Sequence, residues 1–455
     1  MKFDPQTGEP IAEVAEQVVE QVGKAVKKSF FKTPLFFGLA GGVAVAATAA
    51  TLVFTGTFLS GRDKVTQAIV NTVKDSGELT KTMQAFQPED MKEFTMAIGM
   101  EVQGVEFEAE YRHTPTDKQV WVAVEQQMQM EATATITKDK VLASSPLLDG
   151  TLLVYDYTQM PTGFLLEAAD YNYDAFTAMN EAFAMIYEIG SEDVELSDDT
   201  IKEIKKWYKS IEVEKEDEKE SFEINGKDKD CVGYTLEVDE EFVEELVEIM
   251  VLIMEDMEVY DEEYIDDMKE SALDSIDGME SVDMTFYLDS KKLAAIVLEN
   301  DGEEIIVAFE GGKYRMQNIN IEYDGITVAK IKGETDGKEE TAELVVNGET
   351  MLEYTYDAKS GELEMIIYEY GEEIGSLECV LNVGKDAISL SDATLEIITA
   401  DYYYDSEPFV TSVDFSISLT RGASIEKLTG TEFNLSTAGA AEFEEFYEQF
   451  EGLFW

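Results

Sequence analysis

One histidine, His113 in YRHTPTD, is the only imidazole in the 455-residue chain, so any Ser-His-Asp or Cys-His site would have to use it. It stands beside the turn formers Pro115 and Asp117 with no nucleophile motif nearby, and the chain holds no GxSxG. It reads as a solvated turn histidine. SFFK (Ser29–Lys32) matches S-x-x-K but abuts an apolar run, and Lys359-Ser360-Gly361 sits in the hairpin turn of YDAKSGELE, so neither has the context that chemistry requires. With 97 acidic residues, no carboxylate pair stands out as glycosidase machinery. NGKDKD (Asn225–Asp230) and DSIDGMES (Asp274–Ser281) place acids near glycine without the full calcium-loop spacing. Walker and Rossmann glycine patterns are missing, and Gly311-Gly312 ends a strand without opening a helix. No catalytic residue, metal ligand or cofactor is assigned, and the expected activity is noncatalytic.

Charge narrows the partners. The formal net charge is -63. Before Arg62, five lysines balance Asp4, Glu9, Glu13, Glu16 and Glu20, so the whole excess lies downstream. Such a surface repels nucleic acid and anionic headgroups. Only Arg62, Arg112, Arg315 and Arg421 could supply the bidentate fork used on phosphates, which argues further against nucleotide or nucleic-acid partners. Salt adaptation produces the same acidity, so charge names no ligand. Cys231 and Cys379 form no CxxC pair; they read as two buried small hydrophobes, with a long-range disulfide as the alternative.

A stretch without charge separates Lys32 from Arg62, and Pro34–Phe58 provides 25 residues where about 20 cross a bilayer. Lys24, Lys27, Lys28 and Lys32 precede it and an acidic chain follows, which places the N-terminus in the cytoplasm and residues 62–455 outside. Phe36 and Phe37 near one end and Phe54 and Phe58 near the other suit the membrane boundaries. Ala47-Thr48-Ala49 matches a cleavage site, but the long, charge-balanced flank favours a retained anchor. Gly38, Gly42, Ala46 and Ala50 recur every four residues, a spacing that lets two spans approach in a weak homodimer.

The stub, residues 1–32, opens on MKFDPQTGEPI. With cysteine in place of Asp4 and Thr7 it resembles a zinc-ribbon knuckle, but the ligands are missing and a turn on Pro5 and Gly8 is expected instead. Ile11, Val14, Val18, Val22 and Val26 then mark an amphipathic helix leading into the span, residues 33–61.

In residues 62–455, DKVTQAIVNTVKDS has Val65, Ala68, Ile69 and Val73 on one helical face. Phe94, Met96, Ile98, Met100 and Val102 alternate with smaller or polar residues, as do Val105, Phe107, Ala109 and Tyr111, then Val120, Val122, Val124, Met128 and Met130. Period two over consecutive runs means antiparallel strands with one dry face. The middle reads as helical: YDAFTAMNEAFAMIYEI, DDTIKEIKKWYKSI, and one long helix over residues 238–272. From Ser281 the chain returns to strands punctuated by Asp324-Gly325, Asn347-Gly348 and similar hairpin dipeptides. AAEFEEFYEQF closes it as a short helix. The expected class is α+β: a large curved antiparallel sheet, half-barrel-like, with helices on its concave face. Residues 62–280 would hold the first helix, strands and helical middle, and 281–455 the meander and last helix.

The anchor, SGRDKVTQAIVNTVKDS, the meander and YTLEVDEEFVEEL together resemble uncharacterised bacterial extracytoplasmic proteins with a half-barrel fold similar to the lipoprotein-carrier and lipid-binding family of LolA and LppX. The resemblance implies a ligand of acyl-chain character held between sheet and helix. The stripe that would face it is Phe242, Leu246, Ile249, Met250, Ile253, Met254 and Met257, which is also what a core helix shows. The expectation is a membrane-tethered binding protein for an apolar ligand or a cell-envelope partner. The alternatives are a transmembrane sensor signalling through Ile11–Phe30 and a carboxylate-based envelope hydrolase.

Overall fold

The structure, a computed structural model, describes residues 60–86, 91–102, 104–125, 129–188, 196–257, 262–276, 278–300, 302–399 and 409–450. The stub and the Pro34–Phe58 span lie outside the described residues. Among the described residues no helix is long and apolar enough to cross a membrane.

The fold is α+β, with a large curved and unclosed antiparallel sheet. The described helices are α1 (Gly61–Lys74), α2 (Glu78–Met83), α3 (Phe164–Ala168), α4 (Tyr173–Glu188), α5 (Asp198–Ser210), α6 (Glu240–Met257), α7 (Glu262–Ile276) and α8 (Ala440–Phe450). The first ten strands are β1 (Phe94–Val102), β2 (Val105–His113), β3 (Lys118–Glu125), β4 (Gln129–Ile136), β5 (Lys140–Ser144), β6 (Thr151–Asp156), β7 (Glu214–Glu223), β8 (Asp228–Val238), β9 (Val282–Asp289) and β10 (Lys292–Asn300). The rest are β11 (Glu303–Phe309), β12 (Asn318–Tyr323), β13 (Ile326–Asp336), β14 (Glu339–Val346), β15 (Glu349–Asp357), β16 (Glu362–Glu369), β17 (Glu372–Val383), β18 (Ala387–Thr399), β19 (Phe409–Arg421) and β20 (Thr431–Asn434).

The chain forms two compact units, each discontinuous in sequence: Met1–Gly77 with Glu195–Glu353, and Glu78–Val194 with Tyr354–Trp455. In the first, β7 to β14 pair antiparallel in chain order. Helix α1 begins with a reciprocal cap: Asp63 N–H donates to Ser60 Oγ at 3.2 Å and Ser60 N–H donates to the Asp63 carboxylate at 3.0 Å. Val65, Ala68 and Ile69 are buried as expected, but Val73 is exposed and Thr72 takes the inner position. The reason is helical phase: the contact stripe runs 65, 69, 72, where Thr72 Oγ1 accepts the Leu293 N–H at 2.8 Å, while position 73 has turned toward water. On β9, Val282, Met284, Phe286 and Leu288 alternate inward and meet α1, α6 and α7 in one core.

Two expectations for this unit need correction. The single helix over 238–272 is two, α6 and α7, packed on each other. Both helices reach the same core, α6 through Val251 and α7 through Ile265. The helical middle also contains the β7–β8 hairpin, whose turn holds Asn225 and Gly226 at positive φ. NGKDKD is therefore hairpin turn and strand start. Its charged alternation, EKEDEKESFE, hides a strand because only Phe222 of its inner row is a large apolar residue.

In the second unit the strand order is β20-β6-β5-β4-β3-β2-β1-β19-β18-β17-β16, antiparallel except for the β20–β6 pair. The early hairpins are joined to the late meander through β1 and β19, whose residues are over 300 positions apart: Ile98 opposes Ile417.

Candidate functional site

The stripe on α6 divides by phase. Val243, Val247 and Val251 face the sheet core, while Leu246 and Ile249, 2% and 4% exposed, pack on Ile204, Trp207 and Tyr208 of α5. Phe242 lies between the two clusters with its ring 6.0 Å from that of Trp207. Met250 and Ile253 are partly buried against the α5 cluster and Met254 against the sheet core. The Met257 side chain lies outside the described residues. Thus the buried members are already partnered by helix and sheet, and only half-buried side chains border solvent.

A different apolar surface lies in the second unit. Directly opposed residues of antiparallel strands share a face, and the registers place one apolar residue after another in rows across it. One row runs Ala132, Val122, Ala109, Ile98, Ile417, Leu390, Leu381. A second runs Met130, Val124, Phe107, Met100, Phe415, Ala393. The face is covered at two places. Leu79 of α2 packs over Tyr356, Leu363, Cys379 and Leu381, and Met179, Phe183 and Tyr187 of α4 pack over Ile136, Tyr155 and Tyr157. Between them it is open: Met130 and Ile397 are each 47% exposed, Met100 39%, and Met96, Leu395 and Ile417 are exposed as well. The dry face expected from the alternation is apolar, but it is not dry throughout. Contiguous exposed apolar side chains mark interaction surfaces. Glu101, Glu106, Glu108, Asp414, Thr394 and Ser416 take the opposite phase, and together with Met100, Phe107, Ala393 and Phe415 they line a shallow groove of about 480 Å³.

The covered end of the apolar face holds two polar side chains. Phe94, His113, Lys118 and Ile136 follow one another across the strands. His113 is 1% exposed and stacks on Phe94 at 4.8 Å between ring centroids. It is therefore a buried histidine, and the solvated-turn reading is corrected: it shares the phase of Ala109 and Tyr111, so the pleat turns it inward. Lys118 is fully buried. Its Nζ donates to the Thr114 carbonyl at 2.8 Å and sits 5.5 Å from the Tyr187 ring centroid. Burial pulls its pKa below the ordinary lysine value, against a smaller opposing pull from Asp117. Sequence reading missed Lys118; the available signal was a lysine in phase with Val120, Val122 and Val124.

In the first unit a polar clasp ties α1 to the sheet. Asp75 accepts from Lys292 Nζ and, at 2.9 Å, from the Arg315 N–H. Asp289 accepts from Arg315 Nη2 at 2.8 Å and Lys229 Nζ at 2.9 Å. Burial pushes both carboxyls up, but these donors outweigh it and hold them below the ordinary aspartate value. Beside the clasp, burial, reinforced by Asp289, pushes the Cys231 thiol up to about 11. Cys231 and Cys379 are both free and buried, each in its own unit's core. Among the described residues no three His, Cys, Asp or Glu side chains converge to hold a metal ion.

No family model and no curated protein matches the chain. Among solved structures, a porin-like protein from Bacteroides uniformis ATCC 8492 aligns over 73% of this chain and 98% of its own at 5% identity, with a TM-score of 0.16. A likeness at that score carries no argument about fold or function.

Proposed function

We propose that this is a membrane-tethered extracytoplasmic binding protein, noncatalytic, that holds an apolar, lipid-like ligand on the open sheet face of its second unit. The observation that carries the reading is the exposed run Met96, Met100, Met130, Leu395, Ile397 and Ile417 on one side of a strongly acidic protein. Covering such rows removes apolar area from water, which favours binding of an apolar ligand there. Methionine at three of these positions suits a ligand of variable shape, because its unbranched thioether adapts to irregular surfaces. The tether is the Pro34–Phe58 span, and the lysines before it orient the acidic segment outward.

The test is binding of an uncharged long-chain fluorescent probe to the full-length protein, compared with Met100→Glu and Ile417→Glu. Both substitutions fall on exposed strand positions, so thermal unfolding should change little. The expected outcome is probe binding by the parent and loss of about tenfold or more in affinity in either variant, in line with desolvating a carboxylate inside an apolar site. Equal affinity in parent and variants would overturn the assignment of the site to this face.

A further inference from the structure

We infer that the ligand of the open face is an amphiphile with a single carboxylate headgroup, and that Lys118 receives it. This rests on the apolar-face reading above and adds the chemistry of the headgroup.

Three observations converge on Lys118. It is fully buried, although a lysine ammonium is strongly hydrated and is almost never buried without a counter-charge. Its described partners are a neutral carbonyl, that of Thr114, and the ring of Tyr187. No carboxylate among the described residues forms an ion pair with it; Asp117, the neighbour whose charge it feels, uses a carboxylate oxygen to accept the Thr116 hydroxyl at 2.9 Å. An ammonium offers three donors, so Thr114 leaves capacity for a second acceptor.

Position supplies the rest. Lys118, Val120, Val122 and Val124 point to the same side of β3, and Val120 is already 36% exposed. The open face thus begins two residues, about 7 Å, from the lysine. A flexible four-carbon stem lets the amine turn from Thr114 toward that edge. From Lys118 to Val124 the strand offers a track of about 20 Å, the scale of a long acyl chain. A carboxylate placed at Lys118 would pair with a point charge in a low-dielectric corner, while its chain lay over the apolar rows. A phosphate head fits less well. It carries more charge into a protein already at -63, and it favours the arginine fork, whereas Arg112, on the other face of β2, is engaged by Glu110 and Gln119.

The experiment uses the full-length protein and two ligands of equal chain length, a long-chain carboxylate and its methyl ester, titrated against the parent, Lys118→Met and Lys118→Arg. The parent should bind the carboxylate about tenfold or more tighter than the ester, the scale of a charge-assisted hydrogen bond. Lys118→Met should erase that preference while keeping ester affinity, and Lys118→Arg should retain part of it. If Lys118→Met does not fold, the parent's preference between the two ligands and the Lys118→Arg titration still decide. Equal affinity of the parent for both ligands overturns the headgroup assignment and leaves the apolar face intact. Binding of neither ligand overturns the apolar-face reading, and this inference with it.

Discussion

Asp289 shows how one side chain couples a local contact to the stability of its unit. It holds Arg315 and Lys229 together, and both donors favour its charged form. A carboxyl depressed in the folded state stabilises the fold fully above its unfolded pKa, and that contribution is lost as pH falls through the folded value. The unfolded value is about 4, so the loss falls below about pH 5. In urea titrations at stepped pH, the parent should lose stability relative to Asp289→Asn over that window. Parallel curves for the two proteins would remove Asp289 from the acid response. The same scale contains the two positions whose types mislead in isolation. His113 and Lys118 carry polar side chains in a turn-rich stretch, yet both are buried because they share the inward phase of their strands. Periodicity is thus a better guide to their surroundings than residue type.

At the scale of elements, α6 is the instructive case. Its acidic rows face solvent, and its apolar residues divide between sheet and α5. A buried leucine cut to alanine costs transfer free energy plus a cavity term, about 2 to 5 kcal/mol. Leu246→Ala should show a loss in that range by urea denaturation, and Met254→Ala, half-buried at the helix's far end, clearly less. Equal small losses would mean that α5 is not the partner of this face. Element type was legible over most of the chain, because α4, α5 and α8 carry apolar spacing near 3.6 and β1 to β3 carry spacing of two. The β7–β8 hairpin was not, because its exposed face is so charged that the inner row is outnumbered. The break between α6 and α7 was not either, since both halves keep helical spacing.

For the whole molecule, charge is the dominant fact. A net -63 repels itself, and that repulsion is relieved by counterions when the chain is compact. Raising sodium chloride from about 0.05 to about 0.5 M shortens the screening length severalfold. The thermal midpoint should therefore rise. A flat or falling midpoint would mean that the acids are already neutralised by contacts within the fold. The same field bears on ligand choice, since it disfavours multiply charged anions near the surface and leaves a buried, singly charged lysine as a selective acceptor.

The sequence by itself determined the α+β class, the alternating strands, tight turns such as Asn347-Gly348, and the separation of a neutral stub from an acidic segment. These are local properties, set by side-chain period, backbone φ and charge, and each can be read within a dozen residues. Tertiary structure alone decided that β1 pairs with β19, that the chain forms two discontinuous units, and that apolar rows remain open on one of them. An alternating strand reports that it has an apolar side, but whether that side meets a helix or water depends on elements hundreds of residues away. For this reason the stripe on α6, conspicuous in the sequence, is mostly core, while the open face had to be assembled from seven strands before it existed.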